Sequence, residues 1–266
     1  MIGALVIARG GSKRLPRKNV RDFCGLPLTA WTLIQCQCAK QVDRVFLSTD
    51  DDEIEAIGRA WDAEIIRRPD WPDADKVAAN RVFLHAIGEI EARGYDMDVL
   101  VSAFPTSPLR YPGDIDRGID HFHLTGAYHV WPAYRPREMV IYKDVLGMIA
   151  KLVLFDKRKI YLMGNAGMFN VIRTAWYKWH VGMLTEKVGD HDSVLDNLCI
   201  EPLDQPDTDS YYVECEQFQL VETDTLEEFE LAEVLMKHYI LRDRGPTVYF
   251  EYADRWDLAA SNRRQL

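Results

Sequence analysis

The sequence predicts an α/β protein built on a doubly wound, mostly parallel sheet, with a small inserted arm. Three observations predict it. The chain opens on an uninterrupted apolar run, Ile2-Gly3-Ala4-Leu5-Val6-Ile7-Ala8, of the kind found in a central strand covered on both faces. Strand-like and helix-like stretches then alternate through the first half. The 266 residues are 47% hydrophobic and 28% charged, globular proportions that exclude a disordered or collagen-like chain.

The elements follow in order. A polar, glycine-containing loop runs from the first strand to Asn19. Pro27 opens a helix over Leu28 to Ala39, with Leu28, Trp31, Thr32 and Gln35 at helical spacing. Val45 to Thr49 reads as a second strand, and Asp51 as the cap of a helix over 52–61. Ala63 to Ile66 is a third strand, Lys76 to Arg93 a longer helix closed by Gly94, and Val99 to Ala103 a fourth strand. Pro112-Gly113-Asp114 starts a helix over 114–124 that Gly126 closes, and Ala127 to Trp131 is a fifth strand. After Pro132 the rhythm breaks, and 140–163 reads as short antiparallel strands of an inserted arm, about 133–163. Gly167 to Ile172 returns to a buried strand, and Thr225 to Leu241 is an amphipathic helix. One domain over 1–241 is expected, followed by a polar and aromatic extension, 242–266, with weak periodicity.

Charge narrows the function classes. Lys and Arg number 32 against 42 Asp and Glu, a net charge of −10. Nucleic acid, which needs a basic face, is therefore not an expected partner. Any anionic substrate must be held by a local cluster of cations. The first apolar run is too short to span a bilayer and lacks the basic start of a secretory signal, so no membrane association is expected. Five scattered cysteines with no C-x-x-C pair argue against structural zinc and for a reducing, cytoplasmic setting.

The densest chemical signal is Ala8-Arg9-Gly10-Gly11-Ser12-Lys13-Arg14-Leu15-Pro16-Arg17-Lys18-Asn19, directly after the first strand. Arg9, Lys13, Arg14, Arg17 and Lys18 bring enough positive charge to offset a triphosphate. Gly10 and Gly11 let backbone N–H groups approach phosphate oxygens. The loop is neither a Walker A loop nor the dinucleotide fingerprint. A solvated basic loop is the plain alternative. Its place at the C-terminal end of the first strand, where such sheets take ligands, favours phosphate binding.

The string resembles the A-R-x-x-S-K-x-x-P-x-K-N signature of the acylneuraminate cytidylyltransferases, or CMP-sialic acid synthetases, whose relatives act on legionaminic, pseudaminic and 3-deoxy-octulosonic acids. Arg9, Ser12, Lys13, Pro16, Lys18 and Asn19 fall in register. Arg14-Leu15-Pro16 is similar to the octulosonate branch. Further points of resemblance follow in order: Ser48-Thr49-Asp50, Arg68-Pro69, Pro105-Thr106-Ser107-Pro108-Leu109-Arg110, Asn165 to Phe169, and Glu222-Thr223-Asp224-Thr225-Leu226-Glu227. The family usually has Gln where this chain has Phe104, and Asp-x-Asp where it has Glu222-x-Asp224. The spacing from Gly167 to Asp224 is long for the family, which points to an insertion within 180–215.

The resemblance implies a Rossmann-like nucleotidyltransferase that moves CMP from CTP to the anomeric hydroxyl of an acidic sugar and releases pyrophosphate. It implies Arg9 and Lys18 on the triphosphate, with Ala8, Gly10, Ser12 and Lys13 completing the nucleotide loop. Surface solvation is the preferred role of Arg14 and Arg17. Asn19 offers a donor and an acceptor to a pyrimidine edge. Arg68 reaches the base by analogy, against the alternative of pairing with Asp70 or Asp73. Asp224 is the expected Mg²⁺ ligand with Glu222 beside it, since Mg²⁺ takes one or two carboxylates plus phosphate oxygens. Asp224 or Thr225 also suits the cap of the helix that follows. Phe104, Thr106, Ser107, Arg110, Arg135 and Arg137 are candidates for the sugar side, the arginines for its carboxylate. Trp131, Tyr134 and Phe169 are candidate pocket walls, though strand aromatics are usually core. The seven histidines form no catalytic constellation. The inserted arm implies a homodimer. A metal-dependent glycosyltransferase of similar fold, which would not need the loop from Arg9 to Asn19, and a nucleotide-sugar-binding protein without turnover are the alternatives.

Overall fold

The computed structural model describes residues 1–71, 77–134, 141–143, 150–152, 163–164, 167–188 and 210–254. Eight strands form the main sheet. The chain enters it on β1 (Ile2–Ile7), makes a small hairpin of β2 (Asp22–Phe23) and β3 (Leu26–Pro27), and continues through helix α1 (Leu28–Gln37) to β4 (Arg44–Thr49). Helix α2 (Asp52–Ala60), β5 (Glu64–Arg67), α3 (Ala79–Ala92), β6 (Val99–Ala103), α4 (Asp114–Thr125) and β7 (His129–Tyr134) follow. The later elements are β8 (Ile141–Lys143), β9 (Ala150–Leu152), β10 (Met163–Gly164), β11 (Asn170–Arg173), α5 (Thr174–Val188), β12 (Ser210–Glu214) and α6 (Leu226–Leu235).

The strand order is β10-β7-β11-β6-β1-β4-β5, with β12 also lying along β7. Strand β1 pairs in parallel with β4 on one side and β6 on the other, and β5 extends the parallel set beyond β4. β11 runs antiparallel between β6 and β7. The chain therefore winds outward from β1 to β5 and then returns to the other side of β1. That reversal opens a crevice at the C-terminal ends of β1 and β6, where open α/β sheets bind ligands.

Side-chain alternation along β1 explains the layers. Ala4 and Val6 face a core shared with Leu33 of α1, Ile54 of α2 and Ile119 of α4. Leu5 faces the opposite core, with Phe83, Ile87 and Ile90 of α3 and Tyr177 and Val181 of α5. A third core joins the β2–β3 hairpin to the far side of α1 and to α6, through Phe23, Trp31, Phe229 and Met236. Residues 247–254 are helical and pack into this third core through Val248 and Tyr249, so this part of the extension is built into the domain.

Local signals behaved as their chemistry requires. Asp51 caps α2, accepting from the N–H groups of Glu53 and Ile54. Gly126 closes α4, one residue beyond the expected end. The expected helix over 225–241 is α6 followed by a π-helical turn, Met236–Leu241. Thr225 is its cap, in a reciprocal capping box with Glu228. Five elements were not expected: strands β2 and β3, helix α5, strand β12 and the helix over 247–254. The fifth strand also begins later and runs on through Pro132 to Tyr134. The predicted antiparallel strands of the arm are present as the pair β8–β9, and β10 pairs with β7. Most of 133–163, and most of the inferred insertion within 180–215, lie outside the described residues.

Candidate active site

The cleft at the sheet's C-terminal edge has a volume of about 470 Å³. Arg9, Ser12, Lys13 and Lys18 from the loop after β1 line it, together with Phe104 and Thr106 after β6 and Asp224 before α6. A neighbouring lobe of about 270 Å³ shares Arg9 and Arg68 and adds Asp50 and Trp71.

Sequence and packing fix the loop tightly. Ala8 donates its N–H to the carbonyl of Ser48 at 3.0 Å, prolonging the β1–β4 ladder. Gly10 donates to Asp50 at 3.0 Å, and a Cβ at Gly10 would stand 2.3 Å from a carboxylate oxygen of Asp51. Glycine is thus required by close approach to the head of α2. Arg17 carries the loop's left-handed turn at φ 56° and forks onto Asp51 and Glu53. This clamp lowers the Asp51 pKa, with the Arg17 hydrogen bond the main cause. Arg17 is therefore a surface anchor of the loop.

The centre of the site is an ion-pair cluster. Lys18 Nζ donates to Asp224 at 2.6 Å, and its side chain is only 9% exposed. Arg14 Nη1 donates to the other Asp224 oxygen at 2.6 Å. Burial opposes the ionisation of Asp224, yet Lys18 and Arg14 outweigh it and the pKa is lowered. Two residues away, Glu222 has its pKa raised by burial first and by the charge of Asp224 second, while the hydroxyl of Ser107, at 3.2 Å, works the other way. The 222–224 segment is also fastened to the β6 loop, because the Thr223 N–H donates to the Thr106 carbonyl at 2.9 Å.

Asn19 is buried and donates from its amide nitrogen to the Arg9 carbonyl at 2.9 Å. Its Oδ1 is buried without a hydrogen-bond partner. Among the described residues Arg68 makes no bond to Asp70, and Asp73 lies outside the described residues. Arg68 Nε donates to Ser48 Oγ at 3.2 Å and Nη2 to the Ser48 carbonyl at 3.0 Å. Burial brings its pKa down to about 10, Asp50 opposes that, and neighbouring Arg9 adds to it. Two guanidinium groups held side by side at a cleft wall suit a multiply charged anion.

On the sugar side the sequence expectation needs two corrections: Ser107 is fully buried and bonds Glu222 rather than lining the cleft, and Arg110 is claimed by the core. Arg110 is not exposed to the cleft. It is 1% exposed and donates to the carbonyls of Met168, Phe104 and Gly167 and to Gln35 and Thr32. An arginine at a strand end points either to the crevice or to the core, and here five backbone and side-chain acceptors claim it for the core. Phe104 lines the cleft and meets Phe83 edge-on, with ring centroids 5.7 Å apart. Phe169 is fully buried against Gly118 and is core. Arg135 and Arg137 lie outside the described residues, as do Asn165 and Ala166. Arg14 is exposed, as the sequence reading expected, and from the surface its head group also reaches Asp224. Sequence reasoning gave no role to Val77 and Ala79, which bring the start of α3 to the cleft wall.

Residues 3–130 match the family model described as cytidylyltransferase. Over that stretch the chain is similar to the cytidylyltransferase family. An N-acylneuraminate cytidylyltransferase of Oncorhynchus mykiss is 31% identical over 67% of this chain and 32% of its own length. A CMP-N,N'-diacetyllegionaminic acid synthase of Legionella pneumophila is 28% identical over 61% of this chain and 71% of its own. A pseudaminic acid cytidylyltransferase of Campylobacter jejuni is 33% identical over 40% of this chain and 46% of its own. The chain spans about a third of the length of the first of the curated relatives it matches. The fold is shared with a CMP:2-keto-3-deoxy-manno-octonic acid synthetase complexed with CTP, at a TM-score of 0.62, 12% identity, and coverage of 90% of this chain and 100% of that one. A cytidylyltransferase from Leptospira borgpetersenii gives a TM-score of 0.61 at 14% identity, covering 99% of this chain and 95% of that one.

Proposed function

We propose that the protein transfers CMP from CTP to the anomeric hydroxyl of an acidic, nonulosonic or ulosonic, sugar. The observation that carries this is the convergence of Arg9, Lys13, Arg14, Lys18 and Arg68 on one cleft at the switch point of the sheet, in a chain whose net charge is −10. The sugar oxygen forms a bond to the α-phosphorus, the bond to the β-phosphate oxygen breaks, pyrophosphate leaves, and the hydroxyl proton passes to solvent. Arg9 and Lys18 stabilise the charge on the phosphate oxygens, with Lys13, Ser12 and the N–H groups of the loop in support. Asn19 and Arg68 face the base, and Phe104 and Thr106 the sugar, while buried Ser107 holds Glu222. The sugar supplies the nucleophile, so no protein nucleophile is required.

A magnesium ion fits the donor set. Glu222 and Asp224 are hard-oxygen ligands within one short segment, and their mutual repulsion, which helps to raise the Glu222 pKa, favours a cation between them and a phosphate. No group of three or more His, Cys, Asp or Glu side chains placed to hold a metal ion occurs among the described residues. Bound there, the ion would supply neutralisation of phosphate charge. A homodimer is proposed on the inserted β8–β9 segment, and a monomer mass by light scattering would refute it. No helix among the described residues is long and apolar enough to cross a membrane. The free thiols Cys24, Cys36, Cys38 and Cys215 support a cytoplasmic setting.

The test is pyrophosphate release from CTP with a panel of acidic sugars. CTP-dependent release with at least one of them is expected, with ATP and GTP far slower. Equal turnover with purine nucleotides refutes the assignment, and release of CMP or CDP from a nucleotide sugar would mean glycosyl transfer.

A further inference from the structure

We propose that Tyr249 is a positioning residue for the substrate cleft, acting through Arg110 on the loop 104–110. The helix 247–254 lies beneath this loop, away from the cleft. Tyr249 is 1% exposed, and its hydroxyl donates to the Arg110 carbonyl at 2.5 Å and accepts from Gln35 Nε2 at 2.9 Å. Gln35 Nε2 also donates to the Pro108 carbonyl at 2.8 Å, and Gln35 Oε1 accepts from Arg110 Nη1 at 2.6 Å. Arg110 in turn holds the carbonyls of Phe104 and Gly167 at 2.9 and 3.1 Å.

Three buried side chains thus fix the loop's carbonyls at both ends, at Phe104 and at Pro108 and Arg110. The cleft-lining residues Phe104 and Thr106 hang between those supports. The loop passes the constraint on, since the Thr106 carbonyl accepts from Thr223 and Ser107 donates to Glu222. Such a closed network holds its members more firmly than isolated pairs. The same helix has a second, separate anchor: Tyr252 donates to Asp116 at 2.9 Å. That anchor serves as an internal control.

The experiment is amide hydrogen exchange on the full chain for wild type, Tyr249→Phe and Tyr252→Phe. Phenylalanine keeps the ring against Trp31 and removes only the hydroxyl. Exchange in 104–110 and 222–224 is expected to quicken at least about tenfold in Tyr249→Phe, which loses both hydrogen bonds of the hydroxyl, with β1 and β4 unchanged. Tyr252→Phe is expected to leave 104–110 and 222–224 at the wild-type rate. Unchanged exchange in Tyr249→Phe, equal acceleration throughout the sheet, or the same pattern in Tyr252→Phe overturns the proposal. Should Tyr249→Phe not fold, Gln35→Met removes the loop's other support and carries the same test. The kinetic arm rests on the proposed function: KM for the acidic sugar rises about fivefold, while kcat and KM for CTP stay within about twofold. A fall in kcat with unchanged KM for the sugar overturns the positioning role. A wild-type enzyme that releases no pyrophosphate refutes the proposed function instead, and the exchange result then decides the role of Tyr249.

Discussion

Replacing Asp224 by Asn separates stability from catalysis at the centre of the site. The substitution keeps size and one acceptor oxygen but removes the charge that Lys18 and Arg14 share. The Arg14 side chain is 73% exposed, so its pair contributes no more than about 1 kcal/mol. Lys18 is nearly buried, and a hydrogen bond to a charged group is worth about 1.5–3 kcal/mol, of which the Asn oxygen retains a part. The helix start is untouched, because Thr225 and Glu228 make the cap. The loss is therefore about 1–2 kcal/mol, or about 2–8 °C in Tm for a chain of this size. Turnover should fall at least about a hundredfold, since charge stabilisation at a phosphate is worth several kcal/mol and each 1.4 kcal/mol is about tenfold. The assays are thermal unfolding and pyrophosphate release at saturating CTP and Mg²⁺. A variant that keeps a rate within about threefold of wild type refutes a catalytic Asp224. A variant that loses its fold at ambient temperature, and regains its rate when stabilised, makes the residue structural.

Acid titration gives a related expectation. The lowered Asp224 pKa means its stabilisation is complete above the unfolded value of 3.8 and is lost as pH falls through the folded value, so Asp224→Asn should differ least from wild type in strong acid. Glu222 has the opposite sign. Its raised pKa favours the fold below 4.5, and that advantage disappears as pH rises through the folded value, so Glu222→Gln should gain Tm relative to wild type at pH 7 compared with pH 4. No such gain in paired melts at the two pH values would contradict the burial of that carboxylate. Gly10→Ala should cost about 1–3 kcal/mol, because its Cβ displaces Asp51 from both the α2 cap and the Arg17 clamp, and denaturant unfolding measures it. A melt within 1 °C of wild type would mean that the loop shifts freely.

Much of the frame was legible because its signals are local. The apolar run of β1, the Asp51 cap, Gly126 and the Thr225–Glu228 box each speak through a few adjacent residues. The β2–β3 hairpin was missed because its strands are two residues long. Its one signal is Gly25, which with Cys24 forms a turn with φ of 89° and 53°, as tight hairpins require. Helix α5 was missed because Trp176, Tyr177, Trp179 and Val181 surround it with apolar side chains and leave no clear stripe. Within the site, residue types were legible and directions were not. Arg110 left its expected place at the cleft for the core, since only tertiary packing decides which way a cation turns.

The bond between Lys18 and Asp224 joins positions 206 residues apart. Closing so long a loop is entropically costly and depends on the elements between having already assembled. During synthesis the cationic loop after β1 emerges early, and its compensating carboxylate follows only after the whole sheet. An incomplete chain therefore carries the cations of this loop without the acid that balances them. Chemistry at this cleft is thus coupled to completion of the fold: a truncated product keeps the basic loop but lacks the carboxylate that closes the site.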